Sequence, residues 1–330
     1  MAKEKTEKFR TMIGGQALIE GIMMRGPKKD AIVVRTKEGL ELDVKPRKLH
    51  KKGSFCTWPL IRGIVGFFDS QVTGVKALMK SADLSPDEDG TEEPSKLDKW
   101  LEKKLGDKKF QSLIISIAVF FGLAMLIGLF FLIPMLVGSV LSNWISSNLL
   151  LNLIEGLIRI IIFVTYIALV SRMKEMRRVF AYHGAEHKTI RCYEAGQPLT
   201  VENIRGYTRL HPRCGTSFLL VVMILSILVF SVASSLVFAL VPQFALMRGQ
   251  FLYSLIMICF KLLLLPLVVA ISYEINRFVG RHDNAFTRVL TAPGMWFQNF
   301  TTREPDDSMI EVAIAAVEAV LPEEEGTDRW

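Results

Sequence analysis

The sequence predicts an α-helical integral membrane protein with four transmembrane helices and a small N-terminal α+β cytosolic module. Three observations carry that prediction. Residues 110–154 contain no charged side chain over 45 consecutive positions, whereas soluble core helices keep such runs to about 10–14 residues and a hydrocarbon slab needs about 20. Half of the 330 residues are hydrophobic, yet the chain carries a net charge of +7 that collects outside the apolar runs. Before the first apolar run, two short alternating segments flank a glycine turn. A purely soluble, disordered, fibrous or disulfide-scaffold protein is excluded by this composition.

The N-terminal module covers residues 1–83. Its first ten residues mix charges of both signs with no apolar stretch behind them, unlike a secretory signal. Residues 14–27 combine glycines with Glu20, Met23, Met24 and Arg25 and read as a loop folded over a site. The tripeptide Gly14-Gly15-Gln16 matches the one used by peptide-release factors, but a glycine-permitted turn is the better reading. Residues 31–36 and 40–45 flank Lys37-Glu38-Gly39 and predict a β-hairpin. Residues 59–80 place apolar side chains at helical spacing, which predicts an amphipathic helix on the membrane or on the hairpin. An acidic linker and a basic lead-in follow over residues 84–111, with almost nothing to bury.

The transmembrane domain occupies residues 112–275. Its spans are residues 112–135, 149–170, 217–240 and 251–273, with a cytosolic loop at 171–216. Basic residues set the orientation. Lys103, Lys104, Lys108 and Lys109 precede the first span, Arg172, Lys174, Arg177 and Arg178 follow the second, Arg205, Arg209 and Arg213 precede the third, and Arg277 and Arg281 follow the fourth. Residues 138–148 carry no charge and 241–250 only Arg248. Both termini and the central loop are therefore expected to face the cytoplasm. The C-terminal segment, 276–330, ends in an amphipathic helix over 306–320, started by Pro305 and Asp306, with Asp306 and Asp307 read as helix-start residues. No internal repeat is visible.

The chemistry concentrates in the central loop. In Tyr182-His183-Gly184-Ala185-Glu186-His187-Lys188, the two histidines are four residues apart, so on a helix their imidazoles share one face and can share one metal ion. The string is also His-x-x-Glu-His, the inverted zinc-peptidase pattern, in which the glutamate is general base toward water. Nearby, His211-Pro212-Arg213-Cys214 has knuckle-like ligand spacing. His183, His187, His211, Cys214 and Glu274 are the candidate ligands, with Glu194 a further one, and nitrogen and sulfur donors favour Zn2+. Glu186 and Arg213 are the candidate catalytic residues, as base and as charge neutraliser. The bland alternative places these histidines at the membrane surface, capping helices and meeting lipid phosphate. Four scattered cysteines, Cys56, Cys192, Cys214 and Cys259, are too few for a disulfide framework and are expected as free thiols or ligands.

Taken together, residues 14–27, Tyr182-His-Gly-Ala-Glu-His-Lys188, His211-Pro-Arg-Cys-Gly-Thr-Ser217 and Thr302-Arg-Glu-Pro-Asp-Asp307 resemble the YqhQ family of bacterial membrane proteins over nearly the whole chain. That resemblance implies a metal-dependent enzyme without implying a reaction or substrate.

Charge points to partners. Residues 1–83 hold 17 basic against 9 acidic side chains, and residues 171–216 hold 9 against 4. Such surfaces suit anionic lipid headgroups or a ribosome surface. No RNA-reading module is visible and no DNA is expected. Within the spans, Glu155, Arg159 and Lys261 are costly charges, either functional or packed as neutralising pairs. The leading expectation is a zinc-like hydrolase acting on a membrane-proximal substrate. The rival is a scaffold or assembly factor with a structural metal that contacts nascent chains or ribosomes. A small transporter, built on the intramembrane charges, lacks the repeat or broken helices expected of one.

Overall fold

Alternating side chains in the N-terminal module build a sheet with two buried faces. The computed structural model describes residues 7–85 apart from 48, 50 and 52, residues 107–324 apart from 146, 248, 249 and 283, and residues 326–329. Most of the acidic linker and basic lead-in, and Arg248, lie outside the described residues. Strands β1 (Gly14–Leu18), β2 (Gly21–Arg25), β3 (Lys29–Thr36) and β4 (Gly39–Pro46) form an antiparallel meander in that order. The hairpin expected around Lys37-Glu38-Gly39 is β3–β4, closed at Thr36 opposite Gly39, where φ is 135°.

Residues 14–27, expected as a loop, are instead the β1–β2 hairpin. The glycines serve close approach rather than looseness. A Cβ on Gly21 would strike the Val33 carbonyl, and one on Gly15 would lie 2.6 Å from the Met23 carbonyl. Removing the Cβ lets neighbouring backbones pack.

The chain forms two compact units, one of Met1–Ser85, Val164–Ser226 and Leu264–Trp330, the other of Pro86–Phe163 and Ile227–Leu263. In the first, α1 (Ile61–Leu84) packs on one sheet face, where Leu18 and Met23 bury with Ala77. The other face buries Ile22, Met24, Ala31 and Val33 against Tyr182 and Ala185 of a helix we label α4 (Lys174–Glu194) and Ile310, Ala313 and Val317 of a terminal helix, α9 (Asp307–Val320). Each such fully buried aliphatic contributes about 1.5–3 kcal/mol. The terminal helix begins where its sequence signals place it, with Asp306 accepting from the Met309 N–H at 3.0 Å. The region expected as a loop, 171–216, is largely α4 and a short helix α5 (Val201–Arg205).

Helix α4 is unusual for its charge. Every residue from Ala181 to Ile190 is buried, Glu186 and Lys188 included. Residues 302–306 cross it closely: the Arg303 N–H donates to Phe180 O at 2.7 Å, and a Cβ on Gly184 would collide with the Arg303 carbonyl.

Among the described residues, four helices are long and apolar enough to cross a membrane: Val119–Leu141, Leu149–Val170, Gly215–Leu240 and Phe251–Arg281. They belong to α2 (Asp107–Ile127, continuing through a π-helical turn Gly128–Leu132 into Ile133–Leu141), α3 (Asn148–Val170), α6 (Gly215–Leu240) and α7 (Phe251–Arg281). At most 28% of any span is buried, so most of this apolar surface faces outward, as a hydrocarbon environment allows and water does not. The first span runs past its expected end at 135 because the π turn and Pro134 at the start of the next segment keep the helix going. A π turn there accommodates the proline that follows without breaking the helix. Beyond α7 lies α8 (Ala285–Thr301), which the hydropathy pattern did not reveal.

In the second unit the three intramembrane charges meet. Lys261 Nζ donates to Glu155 at 2.8 Å, and Arg159 lies 3.5 Å from the same carboxylate. Arg159 Nε donates to Phe130 O of the π turn at 2.6 Å. Gly138 makes room, since a Cβ there would sit 2.5 Å from Glu155 Oε1. Lys261→Met removes the nearer of two cations from Glu155 and leaves it only Arg159 at 3.5 Å, so it is expected to cost about 1–3 kcal/mol. Adding Glu155→Gln should recover part of that loss. Thermal unfolding of the purified single and double variants in detergent checks this, and additive losses would show the charges do not act as a pair.

Candidate metal centre

The i, i+4 spacing on α4 does what the sequence suggested: the two imidazoles meet edge to face with ring centroids 4.3 Å apart. The turn preceding α6 then delivers Cys214. Donor atoms of His183, His187 and Cys214 all lie within 4.8 Å of one another, and all three residues are buried. This cluster could hold a metal ion. A tetrahedral zinc with bonds of about 2.0–2.3 Å holds its donors about 3.3–3.8 Å apart, so a small inward adjustment closes the set.

Backbone carbonyls orient both rings. His183 Nδ1 donates to Thr301 O at 2.8 Å and His187 Nδ1 to Arg209 O at 2.6 Å. A carbonyl only accepts, so each Nδ1 carries the hydrogen and each Nε2 is turned toward the cluster. That is the outer support metal-binding histidines use. His183 Nε2 lies 3.2 Å from Cys214 Sγ, while His187 Nε2 is buried with no hydrogen-bond partner.

Glu186 lies near the two histidines and Cys214 but is not one of the three clustered donors. Its Oε1 accepts from the Gly15 N–H at 2.9 Å, and its Oε2 is buried without a partner. The close approach of β1 that brings this N–H is possible only for glycine, because a Cβ on Gly15 would also lie 3.1 Å from Glu186 Cδ. Burial pushes the Glu186 carboxyl above its ordinary range, and the two nearby histidines pull only partly against it.

The remaining candidates stand elsewhere. His211 is beside the cluster, 5.5 Å from His187 between ring centroids, but both its nitrogens are engaged. Nδ1 accepts from the Arg213 N–H at 3.4 Å, and Nε2 lies 3.3 Å from Glu194. Burial, and then the positive Arg213, hold His211 well below its usual pKa. Arg213 forks onto both oxygens of Glu194, whose Oε1 also takes the Thr11 N–H. Glu274 is bound by Arg62 and by the Leu60 N–H and is not one of the cluster. Glu20, at φ 50° in the β1–β2 turn, accepts two hydrogen bonds from Arg178, each at 2.5 Å. Sequence patterns do not reveal the carbonyls of Thr301 and Arg209, or Gln298, which bonds the His211 backbone in both directions and Ser217. Main-chain groups leave no residue signature; the paired glycines at 14–15 were the single clue.

Burial opposes ionisation of Cys214, but His187 and His183 outweigh it and hold the thiol well below its ordinary range. For His183, burial pulls down and the Cys214 sulfur pulls up more strongly, to about 9. The metal-free protein is thus expected to hold a thiolate–imidazolium pair at neutral pH. The signs are opposite: the raised His183 stabilises fully below the unfolded value near 6.5 and is lost as pH rises through about 9. The depressed Cys214 stabilises above the unfolded thiol value of about 8.5 and is lost as pH falls through its own lower value. Thiolate absorbance near 240 nm, as wild type minus Cys214→Ser after chelation, should persist at pH 7. Its disappearance below about pH 8.5 would refute the pair.

A helical chain with four membrane-length apolar helices, a small antiparallel sheet and a buried His-His-Cys cluster is the class the fold and site define. Residues 58–323 match the family described as "Protein of unknown function (DUF1385)", and the chain belongs to it. It is 33% identical over 316 residues to "Uncharacterized protein YqhQ" of Bacillus subtilis (strain 168), covering 93% of this chain and 92% of that one. The resemblance read from the motifs is thereby borne out. No solved structure matches the chain.

Proposed function

We propose that this protein is a zinc-dependent hydrolase working at the cytoplasmic face of the bacterial inner membrane. One observation carries the reading: His187 Nε2 and Glu186 Oε2 are both buried without a partner, beside a cysteine and a second histidine of correct tautomer. Unpaired buried polar atoms are costly and need a reason. His183, His187 and Cys214 are the residues that would hold the ion, which supplies Lewis-acid polarisation when bound. Glu186, held by the Gly15 N–H, takes the proton from the attacking water through Oε2. The substrate class is a membrane-proximal peptide, membrane-protein segment or lipid-linked molecule, with anionic headgroups as the surrounding partner. Glu186→Gln is the deciding variant.

A second reading has its own support. The centre is closed off: His187 is 1% exposed and Glu186 4%. A structural metal needs protein ligands and no path for water or substrate, which a closed centre suits. The protein would then be a membrane scaffold or assembly factor, with ribosomes or nascent chains as partners of its basic faces. Both readings share one topology, derived from the basic asymmetry. A reporter fused after residue 145 should be exported, and fusions after 195 and 300 retained. Export of the 195 fusion would remove the cytoplasmic site altogether.

A further inference from the structure

Residues 112–135, 149–170, 217–240 and 251–273 hold three charged side chains between them, Arg159 and Lys261 against Glu155 alone. Their formal sum is two positive and one negative, or +1, whatever hydrogen bonds each group makes. All three are more than nine-tenths buried, and all three belong to the second unit. Their meeting at Glu155 therefore leaves one elementary charge that no acidic side chain of the spans opposes. A net charge held inside an apolar bundle is costly and marks a functional position. Three orphaned polar atoms stand in the same unit. Asn152 Nδ2, Ser231 Oγ and Ser234 Oγ are buried and have no hydrogen-bond partner among the described residues. A serine in an apolar helix ordinarily returns its hydroxyl to a carbonyl one turn back. Ser226 of the same helix, α6, does so, donating to Met223 O at 2.7 Å; Ser231 and Ser234 do not.

Helix geometry gathers these groups. Asn152, Glu155, Gly156 and Arg159 share one face of α3, and Ile227, Ser231 and Ser234 share one face of α6, being three, four or seven residues apart. The two faces meet. A Cβ on Gly156 would strike the Ile227 side chain at 2.5 Å, and the Arg159 guanidinium lies 6.0 Å from the centre of the Phe230 ring. As consecutive spans, α3 and α6 run in opposite directions, so one turn from that contact Asn152 comes level with Ser231, with Ser234 beyond. We propose that the second unit binds one small monovalent anion of halide size between α3 and α6. The Asn152 amide and the Ser231 and Ser234 hydroxyls are its hydrogen-bond donors, and the surplus positive charge of the cluster is its counter-charge. All three orphans can donate, and a cation placed there would meet like charge. A buried water would satisfy the hydrogen bonds but leave the charge as it is. The inference is independent of the metal reading.

The test uses the full chain in neutral detergent after dialysis against a chelator, so that no halide can be held by a metal. Broadening of the chloride NMR line by the protein, and its reversal by bromide, reads binding, with bulky gluconate keeping the ionic strength constant. Wild type should broaden the line saturably and melt at a higher temperature in chloride than in gluconate. The Ser231→Ala, Ser234→Ala double variant should bind chloride about tenfold more weakly, having lost two donors to a charged ligand. Without a ligand the same change would only relieve two orphaned hydroxyls and leave the chloride signal unmoved. Lys261→Met should abolish binding, and Glu155→Gln should tighten it several-fold by removing the negative charge from the cluster. General loosening of the bundle would not shift the two in opposite directions. Absence of chloride broadening in wild type, which leaves water alone at the orphaned atoms, overturns the proposal, and so does wild-type affinity in the double serine variant or in Lys261→Met.

Discussion

Purified protein is expected to carry about one zinc ion per chain, and the His183→Ala, His187→Ala double variant to carry almost none. Two imidazoles and a thiol are donors that favour zinc over magnesium or calcium, which take oxygen ligands. The double substitution removes two of the three clustered donors and leaves a lone thiol without its orienting rings. Because an unfolded chain offers no preformed site, occupancy also stabilises the fold by about 4 kcal/mol when free metal is about a thousand times its dissociation constant. Chelation should therefore lower the melting temperature of wild type and leave the double variant unmoved. Elemental analysis together with thermal unfolding reads both effects. Full occupancy in the double variant would sink the assignment of the centre.

Glu186→Gln is the second large effect. The amide keeps an oxygen to accept the Gly15 N–H, the bond that fixes the side chain, so fold and metal content should be preserved. It cannot accept a proton at the other position. Loss of a general base typically costs about 10²–10⁴ in rate, which should abolish complementation of a deletion strain. Activity in wild type should fall on the acid side as the buried carboxyl becomes protonated, above the pH usual for a glutamate. If Glu186→Gln complements fully, the hydrolase reading fails and the structural-metal reading takes its place. In that case Cys214→Ser should lower both metal retention and thermal stability.

Much of the architecture was legible because it depends on one-dimensional patterns. Length and lack of charge place the four apolar helices, since covering some 20 residues with hydrocarbon is a composition problem. Period-two alternation and Gly39 place the β3–β4 hairpin, and Asp306 places the terminal helix. The β1–β2 hairpin was misread because its glycines look permissive, when their role is to let Gly21 lie on Val33 and Gly15 on Met23. Helix α8 went unseen because its apolar face is a stripe rather than a run.

For the centre, the sequence by itself determined that His183 and His187 share a helix face, with Glu186 three residues from His183 near that face, and that nitrogen and sulfur donors abound near them. Helix geometry relates residues three and four apart, and nothing else is needed. Which distant residue joins them was decided by tertiary structure alone. Cys214 is brought to His183, whereas His211 is drawn off to Glu194 and Arg213, and Glu274 to Arg62. Contacts over such separations depend on how helices dock, and docking follows shape and burial rather than spacing. The same holds for the carbonyls of Thr301 and Arg209 and the N–H of Gly15. Every residue carries those groups, so only the folded chain can say which of them are aimed at the centre.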